Sequence, residues 1–107
     1  TVVSFIAYAG DRAAGLITCV EGFSTFAGRP LFNIHDIVVQ GDFRRQGIAK
    51  ALLAHAEHVA RERDCCKLTL EVLEGNTGAR LAYEGFGFQG YQLDPAMGKA
   101  LFMEKKL

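Results

Sequence analysis

The stretch VVQGDFRRQGIAKALL, residues 38–53, decides the fold because it joins a strand, a polar turn and a helix. Residues 31–39 are mostly apolar, which is typical of a central strand. From Gly47 onward the apolar side chains recur at helical spacing, and these are Ile48, Leu52, Ala56 and Val59. Their pattern predicts a long amphipathic helix that begins at Gly47 and ends near Asp64.

The turn between this strand and this helix combines small and basic residues. The first turn of a helix has amide N–H groups without partners and carries the positive end of the helix dipole, so it readily binds phosphate. Gly47 and Ala49 are small enough for a ligand to approach the main chain, and Arg44, Arg45 and Lys50 add positive charge. The turn is therefore a candidate diphosphate site. The same residue types also fit a solvated turn that binds nothing.

The remaining segments predict strands on both sides of this helix and one more helix. The predicted strands are 2–9, 14–26, 31–39, 65–73, 88–93 and 99–105. A second helix is predicted from Asn76 to the glycines at 85 and 87, with Ala79, Ala82, Tyr83 and Phe86 on one side. The order β-β-β-α-β-α-β-β predicts an α/β (α+β) protein with a mixed, mostly antiparallel sheet flanked by helices.

Composition limits the class of protein. A chain of 107 residues, 50% of them apolar, is enough for a single globular domain, 1–107. Its 12 Lys and Arg residues balance 12 Asp and Glu residues, which excludes the net positive charge that attracts nucleic acid or anionic membranes. Three cysteines, two of them adjacent, indicate a reducing compartment. No apolar run approaches the ~20 residues of a membrane span, so we expect a cytoplasmic protein.

Two motifs resemble one known family. The spacing Arg44-x-x-Gly47-x-Ala49 after a strand resembles the coenzyme A motif of the GNAT superfamily of N-acetyltransferases. Many members have glycine directly after the first motif residue, where this sequence has Arg45. The later segment 76–88 resembles the family's second motif, an Asn that opens a helix carrying a Tyr and ending in Gly-Phe.

The resemblance implies a GNAT-like acyl-CoA N-acyltransferase fold and acetyl-CoA as co-substrate. It implies that the main chain of Ile37 and Val39 binds the pantetheine arm and polarises the thioester carbonyl. It also implies a pyrophosphate site, formed by the amides of 45–50, including Gln46, Gly47 and Ala49, with Arg44 and Lys50 as side-chain candidates, and a contact between Asn76 and the arm. The family usually has a strand and helices before the first hairpin, so we expect residues to precede Thr1 in the natural chain.

The implied chemistry is direct attack of a neutral amine on the acetyl group through a tetrahedral intermediate. Tyr83 lies where a family tyrosine often protonates the leaving thiolate, and a phenol with a reference pKa of about 10 can donate at neutral pH. Its alternative role is a packed helix tyrosine. The base candidates are His35, Asp36 and Glu71, of which we place His35 first. The alternative for each is a structural role, as a core histidine or a buried carboxylate. Because side chains alternate along a strand, we expect only one of His35 and Asp36 to face the substrate.

Other motifs lack the context that their chemistry needs. Residues 85–90 spell G-x-G-x-x-G, but they close a helix instead of opening one. His55 and His58 lie on the flank of the first helix, and Cys65 and Cys66 begin a strand. Their spacing is not that of a zinc site, so we expect no metal.

The expected function is N-acetylation of a primary amine on a small molecule or peptide, by a homodimer that binds neither nucleic acid nor membrane. A non-catalytic acyl-CoA sensor and a scaffold without cofactor remain alternatives.

Overall fold

The computed structural model describes residues 1–90, 95–98, 101 and 103–107. Its strands are β1 (Val2–Ala9), β2 (Arg12–Ser24), β3 (Arg29–Val39) and β4 (Leu68–Leu70). Its α-helices are α1 (Ile48–Glu62) and α2 (Thr77–Phe86), and short 3₁₀ turns span Gly41–Phe43 and Pro95–Met97. These residues form two compact units, Thr1–Glu71 and Val72–Leu107. No described helix is long and apolar enough to cross a membrane.

The first unit is a four-stranded sheet in the order β1-β2-β3-β4 with α1 packed on it. The first three strands are antiparallel and β4 is parallel to β3, a pairing that requires a crossover connection, which α1 supplies. The predicted mixed, mostly antiparallel sheet is therefore confirmed. Phe32, Ile17 and Cys19 have no exposed surface and form the centre of the core.

The helix α1 buries part of the predicted apolar face. Of the four predicted residues, Leu52 and Ala56 are buried, whereas Ile48 and Val59 are half-buried. The other side chains that it buries are Leu53 and Ala60. Its opposite face carries ion pairs at one-turn spacing, such as Arg61 with Glu57 at 3.4 Å. The predicted range of 47–64 differs only at the ends, where Gly47 caps the helix and Arg63 ends it.

Close approach of α1 to β2 depends on Gly15. A Cβ atom added at Gly15 would lie 2.9 Å from the Val38 carbonyl oxygen, 2.9 Å from Ile48 Cγ2 and 3.1 Å from Leu52 Cδ1. Atoms at these distances overlap, and one of them belongs to the main chain of β3. A side chain at position 15 would therefore separate the strand from the start of the helix.

Three strands differ from their predicted bounds. Strand β2 begins at Arg12, earlier than the predicted 14, because Arg12 already pairs with Ala9 in the hairpin, and it ends at Ser24 instead of 26. Strand β3 begins at Arg29, because Arg29 and Pro30 pair with β2 instead of forming the expected break. The predicted strand 65–73 is only Leu68–Leu70, since its pairing with β3 stops at Ile34.

The second unit contains α2, which has signals at both ends. The Asn76 side chain accepts a hydrogen bond from the Ala79 amide at 3.4 Å, so Asn76 caps the helix and Thr77 is its first residue. Gly87, with φ of 114°, ends it in the left-handed conformation that favours glycine. The predicted strands 88–93 and 99–105 lie partly outside the described residues. Their described positions, 88–90, 101 and 103–105, are not in strands.

Candidate functional site

Strand β3 contains a bulge at His35. Asp36 pairs with Thr18 and Ile34 pairs with Cys19, so His35 is an extra residue with no counterpart on β2. An extra residue reverses the alternation of the strand, because every later main-chain and side-chain direction shifts by one position. The two ends of β3 therefore present opposite sets of residues to the neighbouring strands.

Before the bulge, β3 is hydrogen-bonded to the segment leading into β4. The Phe32 amide donates to the Lys67 carbonyl at 3.2 Å, and the Pro30 carbonyl accepts from the Cys66 amide at 2.8 Å. This pairing ends at Ile34, which is directly before the bulge.

After the bulge, Ile37 and Val39 have main-chain groups directed away from β2. The Gln40 amide donates to the Ala14 carbonyl at 2.9 Å, so Gln40 faces β2, and Val38 must do the same because directions alternate. Ile37 and Val39 then point to the side on which β4 has ended. No strand in the described ranges pairs with them there. They leave a short, open strand edge, where the family resemblance implies that the cofactor arm binds.

The bulge changes the premise of the expectation about His35 and Asp36. We expected only one of them to face a substrate, because side chains of a regular strand alternate. Both side chains are exposed, whereas Ile34 before them is buried. The extra residue interrupts the alternation at this point, and the expectation that only one of them faces a substrate stays a prediction.

The turn after β3 has an unusual main-chain conformation. Residues Gly41–Phe43 form a 3₁₀ turn, and then Arg45 has φ of 63° and Gly47 has φ of 78°. Arg44, before them, is extended, with φ of −65° and ψ of 150°. Turns that contain left-handed residues can direct neighbouring amide N–H groups toward one side, as in the concave turns that bind anions. We refer to residues 44–47 as the concave turn for this reason, and it leads directly into the first turn of α1.

Three exposed cations lie in the concave turn or next to it. The side chains of Arg44, Arg45 and Lys50 have no hydrogen bond or ion pair with any residue that the structure describes. Other arginines of the first unit have partners, for example Arg29 with Asp64 at 3.0 Å. The cations that remain available for a bound anion are thus concentrated at the start of α1.

The other turn residues leave the concave turn accessible. Gln46 donates from Nε2 to the Asp42 carbonyl oxygen at 3.2 Å, which fixes its side chain and leaves its own amide for a ligand. A Cβ atom at Gly47 would meet nothing within 4 Å, and Ala49 is exposed on the first turn of the helix. An anion could therefore reach the amides without displacing a side chain.

Arg45 occupies a conformation that glycine adopts at lower cost. We expect Arg45→Gly to raise the free energy of unfolding by about 0.5–1 kcal/mol, because it removes left-handed strain that exceeds the entropy cost of glycine. The matched control is Arg44→Gly, which loses the same charge at φ of −65° and should be less stable than the wild type. Urea denaturation of both variants tests the prediction. A loss of stability in Arg45→Gly equal to that in Arg44→Gly would contradict it.

The predicted site residues divide between the two units. His35, Ile37, Val39 and the residues from Arg44 to Lys50 form one continuous segment of the first unit. Tyr83 lies on α2 in the second unit, and Asn76 is the residue that caps this helix. Tyr83 is half-buried, with its ring centroid 6.0 Å from that of Phe88.

Two of the three cysteines are buried, and His55 packs against an aromatic ring. Cys19 and Cys65 are buried, and burial raises the pKa of both thiols, which favours their uncharged form. Among the described residues, no three His, Cys, Asp or Glu side chains are grouped so that they could hold a metal ion. His55 packs edge-on against Phe5, with ring centroids 4.6 Å apart.

Comparison with known proteins identifies the family. The sequence model of the acetyltransferase (GNAT) family matches residues 2–88, which include the bulged strand, the turn and both helices. The chain belongs to the GNAT family. The first expectation from the two motifs is thereby confirmed.

Several GNAT relatives have defined activities. The chain is 31% identical over 83 residues to thialysine N-epsilon-acetyltransferase of Caenorhabditis elegans, covering 78% of this chain and 51% of that protein. It is 35% identical over 94 residues to streptothricin acetyltransferase of Streptomyces lavendulae, covering 88% of this chain and 48% of the relative. The chain thus spans about half the length of these relatives.

Solved structures share the fold. A probable acetyltransferase superposes with a TM-score of 0.85 at 27% identity, over 98% of this chain and 68% of the other. A putative acetyl transferase from Pyrococcus furiosus superposes with a TM-score of 0.77 at 28% identity, over 100% of this chain and 66% of the other. These two structures therefore share the mixed sheet and helices described above.

Proposed function

We propose that this chain transfers an acetyl group from acetyl-CoA to a primary amine of a small molecule or peptide. The observation that carries the proposal is the continuous segment 37–50. It joins an open strand edge to a concave turn whose flanking cations have no partners among the described residues. Membership of a family whose named relatives are N-acetyltransferases supports the same reaction.

The proposed cofactor contacts follow from the chemistry of coenzyme A. Its diphosphate is an anion of the kind that a helix start binds, so the amides of 45–50 bind it, with the side chains of Arg44 and Lys50 adding charge. Its amide-containing arm is extended and lies along Ile37 and Val39, as an added strand would. Asn76 is proposed as a second contact to the arm, in addition to its observed capping of α2.

The proposed proton transfers use Tyr83 and His35. The thioester supplies the acetyl group, which the amine takes by direct attack. Tyr83 donates a proton to the departing sulfur, and His35 accepts one from the amine, with Asp36 and Glu71 as alternatives. Exposure of His35 at the bulge supports its access to a substrate. The Ile37 and Val39 amides stabilise developing negative charge on the carbonyl oxygen.

We further propose a homodimer in the cytoplasm. The three cysteines are free thiols, which suits a reducing compartment. Exposed apolar side chains on β1, among them Val2, Ile6 and Tyr8, provide surface that association would cover.

Thiol release from acetyl-CoA, measured against a panel of amines, tests the proposed activity. The panel contains lysine analogues, aminoglycosides and peptides with a free N-terminus, and the protein is the full natural chain. Release that depends on one class of amine supports the transferase. Thermal stabilisation by acetyl-CoA without release with any amine favours the sensor, and absence of stabilisation favours a scaffold without cofactor.

A further inference from the structure

Arg12 contacts the turn that precedes α1 from the end of the β1–β2 hairpin. Its Nη2 atom lies 3.0 Å from Asp42 Oδ2, and its Cζ atom lies 4.9 Å from the centre of the Phe43 ring. One guanidinium therefore binds two successive residues of the 3₁₀ turn Gly41–Phe43. The coenzyme A motif Arg44-x-x-Gly47-x-Ala49 does not include Arg12, which is 30 residues away from Asp42 in sequence.

Asp42 links this contact to the concave turn. While its carboxylate accepts from Arg12, its main-chain carbonyl oxygen accepts from Gln46 Nε2 at 3.2 Å. Gln46 lies between Arg45 and Gly47, the two left-handed residues. Asp42 thus connects the contacts of Arg12 to Gln46, whose amide is one of those proposed to bind the diphosphate.

A left-handed arginine needs support from its surroundings. Non-glycine residues keep such conformations only when neighbouring contacts determine them. The hydrogen bond from Gln46 Nε2 to the Asp42 carbonyl oxygen spans Arg45, and Arg12 in turn contacts Asp42 and Phe43.

We propose that Arg12 is a positioning residue for the coenzyme A site, which it stabilises by holding Asp42 and Phe43. This inference rests on the proposed function. Arg12 acts through the turn and does not itself bind the diphosphate.

A substitution of Asp42 distinguishes a positioning role of Arg12 from direct attraction of the anion by Arg12. If Arg12 attracted the anion directly, Asp42→Asn would remove a competing negative charge and strengthen coenzyme A binding. If Arg12 positions the turn, Asp42→Asn breaks the contact and weakens binding. The two roles of Arg12 thus predict opposite effects of one substitution.

Calorimetric titration with coenzyme A at constant ionic strength tests the proposal on the full chain. The side chains of Arg12 and Asp42 are 64% and 75% exposed, so we expect Arg12→Met and Asp42→Asn each to raise the dissociation constant about two- to fivefold. The double variant should bind no more weakly than the weaker single variant, because both changes break one contact. Arg12→Lys, which keeps the charge, should restore part of the affinity. Arg61→Met, an equal loss of charge on the outer face of α1, serves as the control and should bind like the wild type.

Amide hydrogen exchange without ligand provides a second, independent measurement. The amides of Gln40 and Phe43, which bond to Ala14 and Gln40 carbonyls, should exchange faster in Arg12→Met than in Arg61→Met. Unchanged or tighter binding by Asp42→Asn, or unchanged exchange, would overturn the positioning role. If exchange accelerates but the wild type binds no coenzyme A, the proposed function fails and the assignment of Arg12 to that site fails with it.

Discussion

Gly15→Ala should lower the free energy of unfolding by about 1–3 kcal/mol, the usual cost of overpacking a filled core. The added methyl group would lie 2.9 Å from both the Val38 carbonyl oxygen and Ile48 Cγ2. The carbonyl belongs to the main chain of β3 and cannot rotate away, so β2 and β3 must shift, and the start of α1 must move to relieve the contact with Ile48. Urea denaturation followed by circular dichroism measures the loss.

Gly22→Ala on the same strand is the matched control. A Cβ atom at Gly22 would lie 3.3 Å from Leu31 Cδ1, the end of a side chain that can adjust. We expect a change within about 0.5 kcal/mol, because a small steric cost is offset by lower entropy of the unfolded chain. Equal stability of the Gly15 and Gly22 variants would show that the close packing of α1 on β2 is not required.

Tyr83→Phe should lower turnover at least about tenfold while binding of acetyl-CoA stays nearly unchanged, because general acid catalysis typically contributes that much or more. The substitution removes only the hydroxyl and keeps the ring that packs near Phe88. The measurement is the rate of thiol release at saturating acetyl-CoA, with whichever amine the panel identifies.

Tyr8→Phe is the control for the loss of a tyrosine hydroxyl. Tyr8 lies on β1 with 63% of its surface exposed, outside the proposed machinery. It should leave turnover unchanged. If Tyr83→Phe also turns over like the wild type, Tyr83 has no part in the chemistry and its role is packing on α2.

Periodicity predicted the regular elements well because burial of one face dominates their energetics. The strand 2–9 and the helix after Gly47 follow directly from apolar spacing, and the glycine at position 87 ends α2 as expected. The first and last residues of β4 could not be predicted from apolar spacing. Its length is determined by the point at which β3 stops pairing with it, and that point depends on a distant residue, His35.

The bulge had a signal that the sequence analysis missed. Phe32 and Ile34 are two residues apart, as are Ile37 and Val39, but Ile34 and Ile37 are three apart. A regular strand with one apolar face keeps a spacing of two throughout, so a single step of three indicates one extra residue.

The main-chain conformation of the turn before α1 was harder to predict from the sequence than the bulge. Nothing in the residue type of Arg45 indicates a left-handed main chain, and the resemblance to family members with glycine there was the only clue. The contact between Arg12 and Asp42 requires the hairpin and the turn to meet in three dimensions, which local patterns do not report.

The most direct test of the account is an amide NMR titration of the isotope-labelled full chain with desulfo-coenzyme A, which cannot transfer an acetyl group. The account predicts saturable shifts at the amides of 45–50 and at Ile37 and Val39, with affinity that falls as salt is added. Shifts confined to another part of the molecule, or none at millimolar ligand, would contradict it.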